Sequence, residues 1–255
     1  MTESSEMLQR LVNIELKVDS LSNSIQSISP KTFRGHPDQA FGHLSYSQFG
    51  EDFIIANLFH LMGINQATYI DIGAHHPFNV SNTALLHARG SRGVNIEANP
   101  DLMPAFLEHR PQDINLNVGI GPEPGILDFY RIDTWSGRNT FSKEIAEAFT
   151  RSHPQFTIND VIKIQIVTLN EVIERYCGGI FPDFMSIDVE GLDFDILSSA
   201  NFSTTRPKVI CVEAISGNDI DCGPEILKLL TERGYKSHAK TIGNIILVDA
   251  DFSPK

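Results

Sequence analysis

Cysteine is scarce here: Cys177, Cys211 and Cys222 are the three among 255 residues. An odd count without close pairs excludes a disulfide framework and a cysteine-rich zinc site, and Cys211 sits in an apolar run where it serves as a small core residue. A reducing compartment, the cytoplasm, is therefore expected. Positive charge is also in short supply, with 20 Lys and Arg against 32 Asp and Glu and a formal charge of −12. Such a chain repels a polyanion, and no basic stripe interleaved with aromatics offsets this, so nucleic acid is excluded as a partner. The sequence lacks a window of about 18 uninterrupted apolar residues and a basic segment followed by an apolar one at its start, so neither a membrane span nor a signal peptide is expected.

What is present suffices for one large core, since 41% of the residues are apolar. Three regions are expected: a helix over 1–30, a linker over 31–43 and a single α/β domain over 44–255. In the first, Met7, Leu11, Ile14, Val18, Leu21, Ile25 and Ile28 are spaced alternately by four and three. That is a heptad seam with Leu11, Val18 and Ile25 at a, and the residues between are polar. A lone helix of this length would leave the stripe wet and is marginal in water. It either packs on its own domain or self-associates through residues 7–28. No buried Asn at a selects dimer over trimer.

The domain is organised around Tyr69-Ile-Asp-Ile-Gly-Ala74, a short apolar run stopped by small residues, then His75-His76-Pro77 and a helix over 82–89. A second strand, Gly93 to Glu97, ends in an acid roughly 20 residues beyond the turn, where a carboxylate accepts from the ribose hydroxyls of an adenosine-bearing cofactor. Further strands are expected over 113–119, 126–132, 161–167, 184–189 and 208–213, with a terminal hairpin of 235–239 and 244–248. Helices are expected over 53–62, 99–109, 143–151, 169–176, 192–199 and 222–233. Residues 161–167 alternate strictly and are placed at the sheet's edge beside the strand around 129. Glu51 and Asp52 fall at a helix N-terminus, where carboxylates are favoured with or without a ligand. Short buried strands alternating with helices require a mostly parallel sheet covered on both faces. Four acids, Asp71, Glu97, Asp188 and Glu213, are expected together on the rim formed by the strand ends.

Ser47-Gln-Phe-Gly-Glu-Asp52, Tyr69 to Ala74, Ile96-Glu97 with Pro100, Thr168-Leu169, Ile187-Asp-Val-Glu-Gly191 and Val212-Glu213 together resemble the FkbM-type methyltransferases, over roughly residues 44–250. The resemblance implies a class I fold with a seven-stranded sheet whose last strand is antiparallel, S-adenosylmethionine as cofactor, and O-methylation of a sugar, a glycan or a natural product. It implies a cofactor set of Gln48, Asp52, Asp71, Gly73, Ala74, His75, Glu97, Ala98, Asn117, Val118 and Asp188, with His75 contributing through its backbone. His75-His76-Pro77 departs from the glycine-rich loop of many relatives, and Asp193 stands where Glu is common. Asp188 is the candidate base, with His238 a lower-ranked one. Alternatively Asp188 and Glu213 hold Mg2+, whose preference is for hard oxygen ligands. Two other readings are a nicotinamide dehydrogenase, disfavoured because His-His-Pro replaces the spaced glycines a pyrophosphate needs, and a non-catalytic coiled-coil scaffold.

Deleting residues 1–30 is expected to give a smaller particle in light scattering. Retention of the parent's oligomeric mass would show instead that the stripe packs on its own domain.

Overall fold

The computed structural model describes residues 45–132, 138–216 and 220–252. The expected coiled coil, the linker and most of the loop at 135–139 lie outside these residues. The chain runs α1 (Glu51–Leu61), β1 (Tyr69–Ile72), α2 (Ala84–Ala88), β2 (Gly93–Ile96), α3 (Met103–His109), β3 (Ile114–Leu116), β4 (Gly119–Ile120) and β5 (Gly125–Arg131). It continues through α4 (Lys143–Ser152), β6 (Asp160–Val167), α5 (Leu169–Tyr176), β7 (Phe184–Ile187), α6 (Asp193–Ser199), β8 (Val209–Glu213), β9 (Ile215–Ser216), β10 (Ile220–Asp221), α7 (Gly223–Glu232), β11 (Tyr235–Lys240) and β12 (Asn244–Asp249).

Seven strands form the main sheet in the order β11-β12-β8-β7-β1-β2-β3. Strands β3, β2, β1, β7 and β8 are parallel, and β12 runs antiparallel between β8 and β11. The central strands β1 and β7 are buried at every position, which is why they read as continuous apolar runs rather than alternating ones. Ile70, Ile72, Met185, Ile187, Ile210 and Val212 pack on one face of the sheet with α5, α6 and α7. Tyr69, Phe184, Val209 and Cys211 pack on the other against Ile55, Leu58 and Phe59 of α1. Chain order reverses at β1, which lies between β2 and β7, and in open α/β sheets such a switch point opens a crevice at the strands' carboxyl ends.

Local chemistry sets the element ends. Thr168 and Glu171 form a reciprocal capping box at the start of α5, and the Ser142 side chain accepts from Ile145 N at the start of α4. Pro104 lies in the first turn of α3, which starts at Met103 rather than near Pro100, because a proline is tolerated there and not further in.

One expectation is corrected. Strand β6 does pair antiparallel with β5, with Phe129 opposite Ile162, but not at the edge of the main sheet. The run expected over 113–119 breaks after Leu116, and β4 then pairs in parallel with β6, so β4-β6-β5 is a separate three-stranded sheet. Among the described residues, no helix is long and apolar enough to cross a membrane.

Candidate active site

A cavity of about 460 Å3 opens at the switch point, within the range of small-molecule sites. Its floor is where β1, β2 and β7 end together. Both Gly73 N and Ala74 N donate to the Ile96 carbonyl, and Asp188 N donates to the Ile72 carbonyl. Gly73 has φ 77°, and a Cβ there would lie 1.8 Å from the Asp188 carbonyl oxygen. Only glycine fits that approach.

On the β2 side stands Glu97, buried at 7% exposure. Its carboxylate accepts from His75 N at 2.8 Å and Asn99 N at 2.7 Å, so it joins the loops that follow β1 and β2. Burial raises its pKa, opposed by those two amides. Asn117 donates to the Glu97 and Ala98 carbonyls at 2.8 and 3.1 Å, fixing the turn from behind.

On the β7 side, Asp188, Glu190 and Glu213 bring carboxylate oxygens within 4.8 Å of one another. The turn carrying the first two is held by Asp193, which accepts from Val189 N and Gly191 N, both at 3.3 Å. Burial pushes the Asp193 pKa up to about 6 against those bonds. Glu190 has φ 54°, and its carbonyl accepts from Thr140 Oγ1 at 3.1 Å. Asp188 is half-buried and lines the cavity. Desolvation, and then the charges of Glu190, Asp193, Asp71 and Glu97, holds its carboxyl well above the ordinary value of 3.8. Glu213 is raised likewise, first by desolvation and then by Asp188 and Glu190. Acids this close need a proton, a cation or added donors between them.

Of the residues expected at the site, Gln48, Gly73, His75, Glu97, Ala98, Val118, Asp188 and Glu213 line the cavity. The others do not line it. Asp71 is buried beneath the floor and accepts from Thr83 Oγ1 at 2.6 Å, so the expected rim of four acids contains Glu190 in its place. Ala74 packs on Met103 and Phe106. Asp52 accepts from Ser45 Oγ, Tyr46 N and Ser47 Oγ, folding the segment that ends at Gln48. Asn117 acts through the carbonyls named above. His238 is exposed on β11, at a register shift between Ser237 and Ala239, and does not line the cavity. His75 lines the cavity, and its amide donates to the Glu97 carboxylate.

Other lining residues escaped sequence reasoning. Phe129, Arg138, Asn139 and Phe141 come from the small sheet and the segment after it, and Ile242 from the β11–β12 turn. Glu51 anchors that turn: its carboxylate accepts from Thr241 Oγ1 at 2.7 Å, Asn244 Nδ2 at 3.0 Å and Phe49 N at 2.9 Å. Glu190 could have been found, since it lies within Ile187 to Gly191.

A seven-stranded sheet with one antiparallel strand, an acid closing β2 and a glycine closing β1 beside an open cavity define a class I S-adenosylmethionine-dependent methyltransferase. The chain belongs to the FkbM methyltransferase domain family, whose model matches residues 71–237. No curated protein matches it. Among solved structures, it is similar to a precorrin-6y C5,15-methyltransferase from Geobacter metallireducens GS-15, with 14% identity over 77% of this chain and 87% of that one and a TM-score of 0.38. It is also similar to the 1,6-didemethyltoxoflavin N1-methyltransferase from Burkholderia thailandensis, solved with 1,6-didemethyltoxoflavin and S-adenosylhomocysteine, with 10% identity over 93% and 88% and a TM-score of 0.39.

The charge crowding has a measurable consequence. Asp188 and Glu213 bind protons more tightly folded than unfolded, so their favourable contribution is complete below the unfolded value and lost as pH rises through the folded ones. Asp188→Asn is therefore expected to raise the melting temperature, by little near about pH 4 and by more towards about pH 8. Thermal denaturation across that range checks this, and a variant less stable than the parent at the upper end would contradict it.

Proposed function

We propose that this methyltransferase acts on a hydroxyl of a sugar, a glycan or a glycosylated small molecule, and that Asp188 is the base. The supporting observation is the group of three carboxylates at the ends of β7 and β8, facing across the cavity from Glu97. Carboxylates accept from neighbouring hydroxyls, and the aromatic residues Phe49 and Phe141 line the same cavity. In this reading Glu97 takes the ribose hydroxyls, and Gly73, Ala98 and Val118 admit the rest of the cofactor. The acceptor oxygen attacks the methyl carbon, the electrons of the S–CH3 bond pass to sulfur, and S-adenosylhomocysteine leaves. The hydroxyl proton goes to Asp188, whose hold on a proton is strengthened by burial and by the neighbouring acids. Alignment does most of the remaining work, since the sulfonium carries its own activation.

The same carboxylates can be balanced by a divalent cation such as Mg2+, held by Asp188 and Glu213 with Glu190, which would lower the hydroxyl's pKa. Self-association through residues 7–28 would present several sites to one repetitive glycan and gain avidity. Three free thiols accord with a cytoplasmic setting.

Transfer of labelled methyl from S-adenosylmethionine to a panel of sugars and oligosaccharides tests the reading. Glu97→Ala is expected to weaken cofactor binding by about 1.5–3 kcal/mol, the range for a charged hydrogen-bond partner. Asp188→Asn is expected to abolish or greatly slow transfer while leaving the fold intact. Sensitivity of the parent to a chelator would move Asp188 from base to metal ligand, and full activity of the variant would remove it from both roles.

A further inference from the structure

The cavity wall beyond β1 is the loop 74–81, and its backbone sits where side-chain-bearing residues seldom go. His75 and Val80 both have φ 53°, and for a β-branched valine this is an outlier. Such conformations persist where the surrounding structure holds them, and they cluster at ligand clamps. Both residues line the cavity.

What holds the loop is a buried cation. Arg110, fully buried, caps the C-terminus of α3. One terminal nitrogen of its guanidinium donates to the Pro77 carbonyl at 2.6 Å and to Ser81 Oγ at 3.1 Å, giving one anchor after each left-handed residue. The other donates to Thr83 Oγ1 at 2.8 Å and Asn95 Oδ1 at 3.0 Å. Thr83 donates in turn to Asp71 at 2.6 Å, and Asn95 to Asp113 at 3.1 Å. The charge is thus balanced by two carboxylates through neutral intermediaries, which leaves the fork free to grip the loop. Between the anchors, His76 Nδ1 accepts from Phe78 N and Asn79 N, both at 3.1 Å, and Ser81 N donates to the Tyr46 carbonyl at 2.9 Å. Neither Arg110 nor Ser81 lines the cavity.

We propose that Arg110 is a positioning residue for S-adenosylmethionine, gripping the 75–81 loop so that His75 and Val80 are set before the cofactor arrives. The proposal rests on the cavity being the cofactor site. A planar fork with several fixed donors can hold two points of a loop at once, and an ammonium cannot do so in the same way. Ordering the loop during folding removes that cost from binding.

Calorimetric titration of the full chain with S-adenosylmethionine tests it, because a titration returns affinity and stoichiometry separately. Arg110→Lys keeps the charge between Asp71 and Asp113 and loses the fork. Ser81→Ala removes one anchor and nothing from the cavity. The dissociation constant is expected to rise roughly tenfold or more in Arg110→Lys and severalfold in Ser81→Ala, as for lost charged hydrogen bonds, with stoichiometry near one site per chain. A merely structural role would lower the stoichiometry and leave the affinity of the folded fraction unchanged, and that result overturns the proposal. Should Arg110→Lys fail to fold, Ser81→Ala decides by the same criterion. A parent chain that binds no S-adenosylmethionine overturns the cofactor assignment and this proposal together; a parent and variants that bind it equally overturn the proposal alone.

Discussion

The carbonyl oxygen of Asp188 occupies the space that a side chain at residue 73 would need. That approach brings the ends of β1 and β7 together, and Asp188 N completes it by donating to Ile72. Two consequences follow. The chain must turn sharply after Gly73 into the 74–81 loop, which becomes one wall of the cavity. The carboxylate of Asp188 is delivered to the floor beside that wall, at the point where strand order reverses. The β2 side and the β7 side of the cavity therefore meet at one backbone contact.

Charge is handled oppositely above and below this floor. Below it, Arg110 is balanced by Asp71 and Asp113 through Thr83 and Asn95, and the bonds made by its two terminal nitrogens give rigidity. Above it, Asp188, Glu190 and Glu213 lie within 4.8 Å of one another, and burial together with mutual repulsion raises the pKa values of Asp188 and Glu213. The upper cluster costs stability in the free chain, a pattern found where binding or chemistry needs an unbalanced site. A sulfonium, a divalent ion or an incoming proton each relieves it.

Much of this was legible in the sequence, for definite reasons. Buried parallel strands read as apolar runs, so β1, β2, β7 and β8 were placed within a residue or two, and their carboxyl ends named Gly73, Glu97, Asp188 and Glu213. Asp71 was misplaced because it lies within β1, two residues short of the level of Glu97, Asp188 and Glu213. Its carboxylate is therefore covered, and it accepts from Thr83 beneath the floor rather than reaching the rim. Phe129 reaches the cavity from a small sheet, and Asn139 and Phe141 from the segment after its β5; the separation of that sheet from the main one depends on a two-residue strand, Gly119–Ile120. A pattern that short carries no periodic signal. Arg110 was invisible for a related reason: nothing local marks an arginine after a short helix as buried, and its partners come from positions 77 to 95.

The account stands on the cavity at the switch point being the seat of the methyl donor. A crystal structure of the full chain with S-adenosylhomocysteine tests this most directly. The ribose hydroxyls are predicted to lie on the Glu97 carboxylate and the sulfur to face Asp188. A ligand bound elsewhere, or one whose sulfur points away from the carboxylates of Asp188, Glu190 and Glu213, would contradict it.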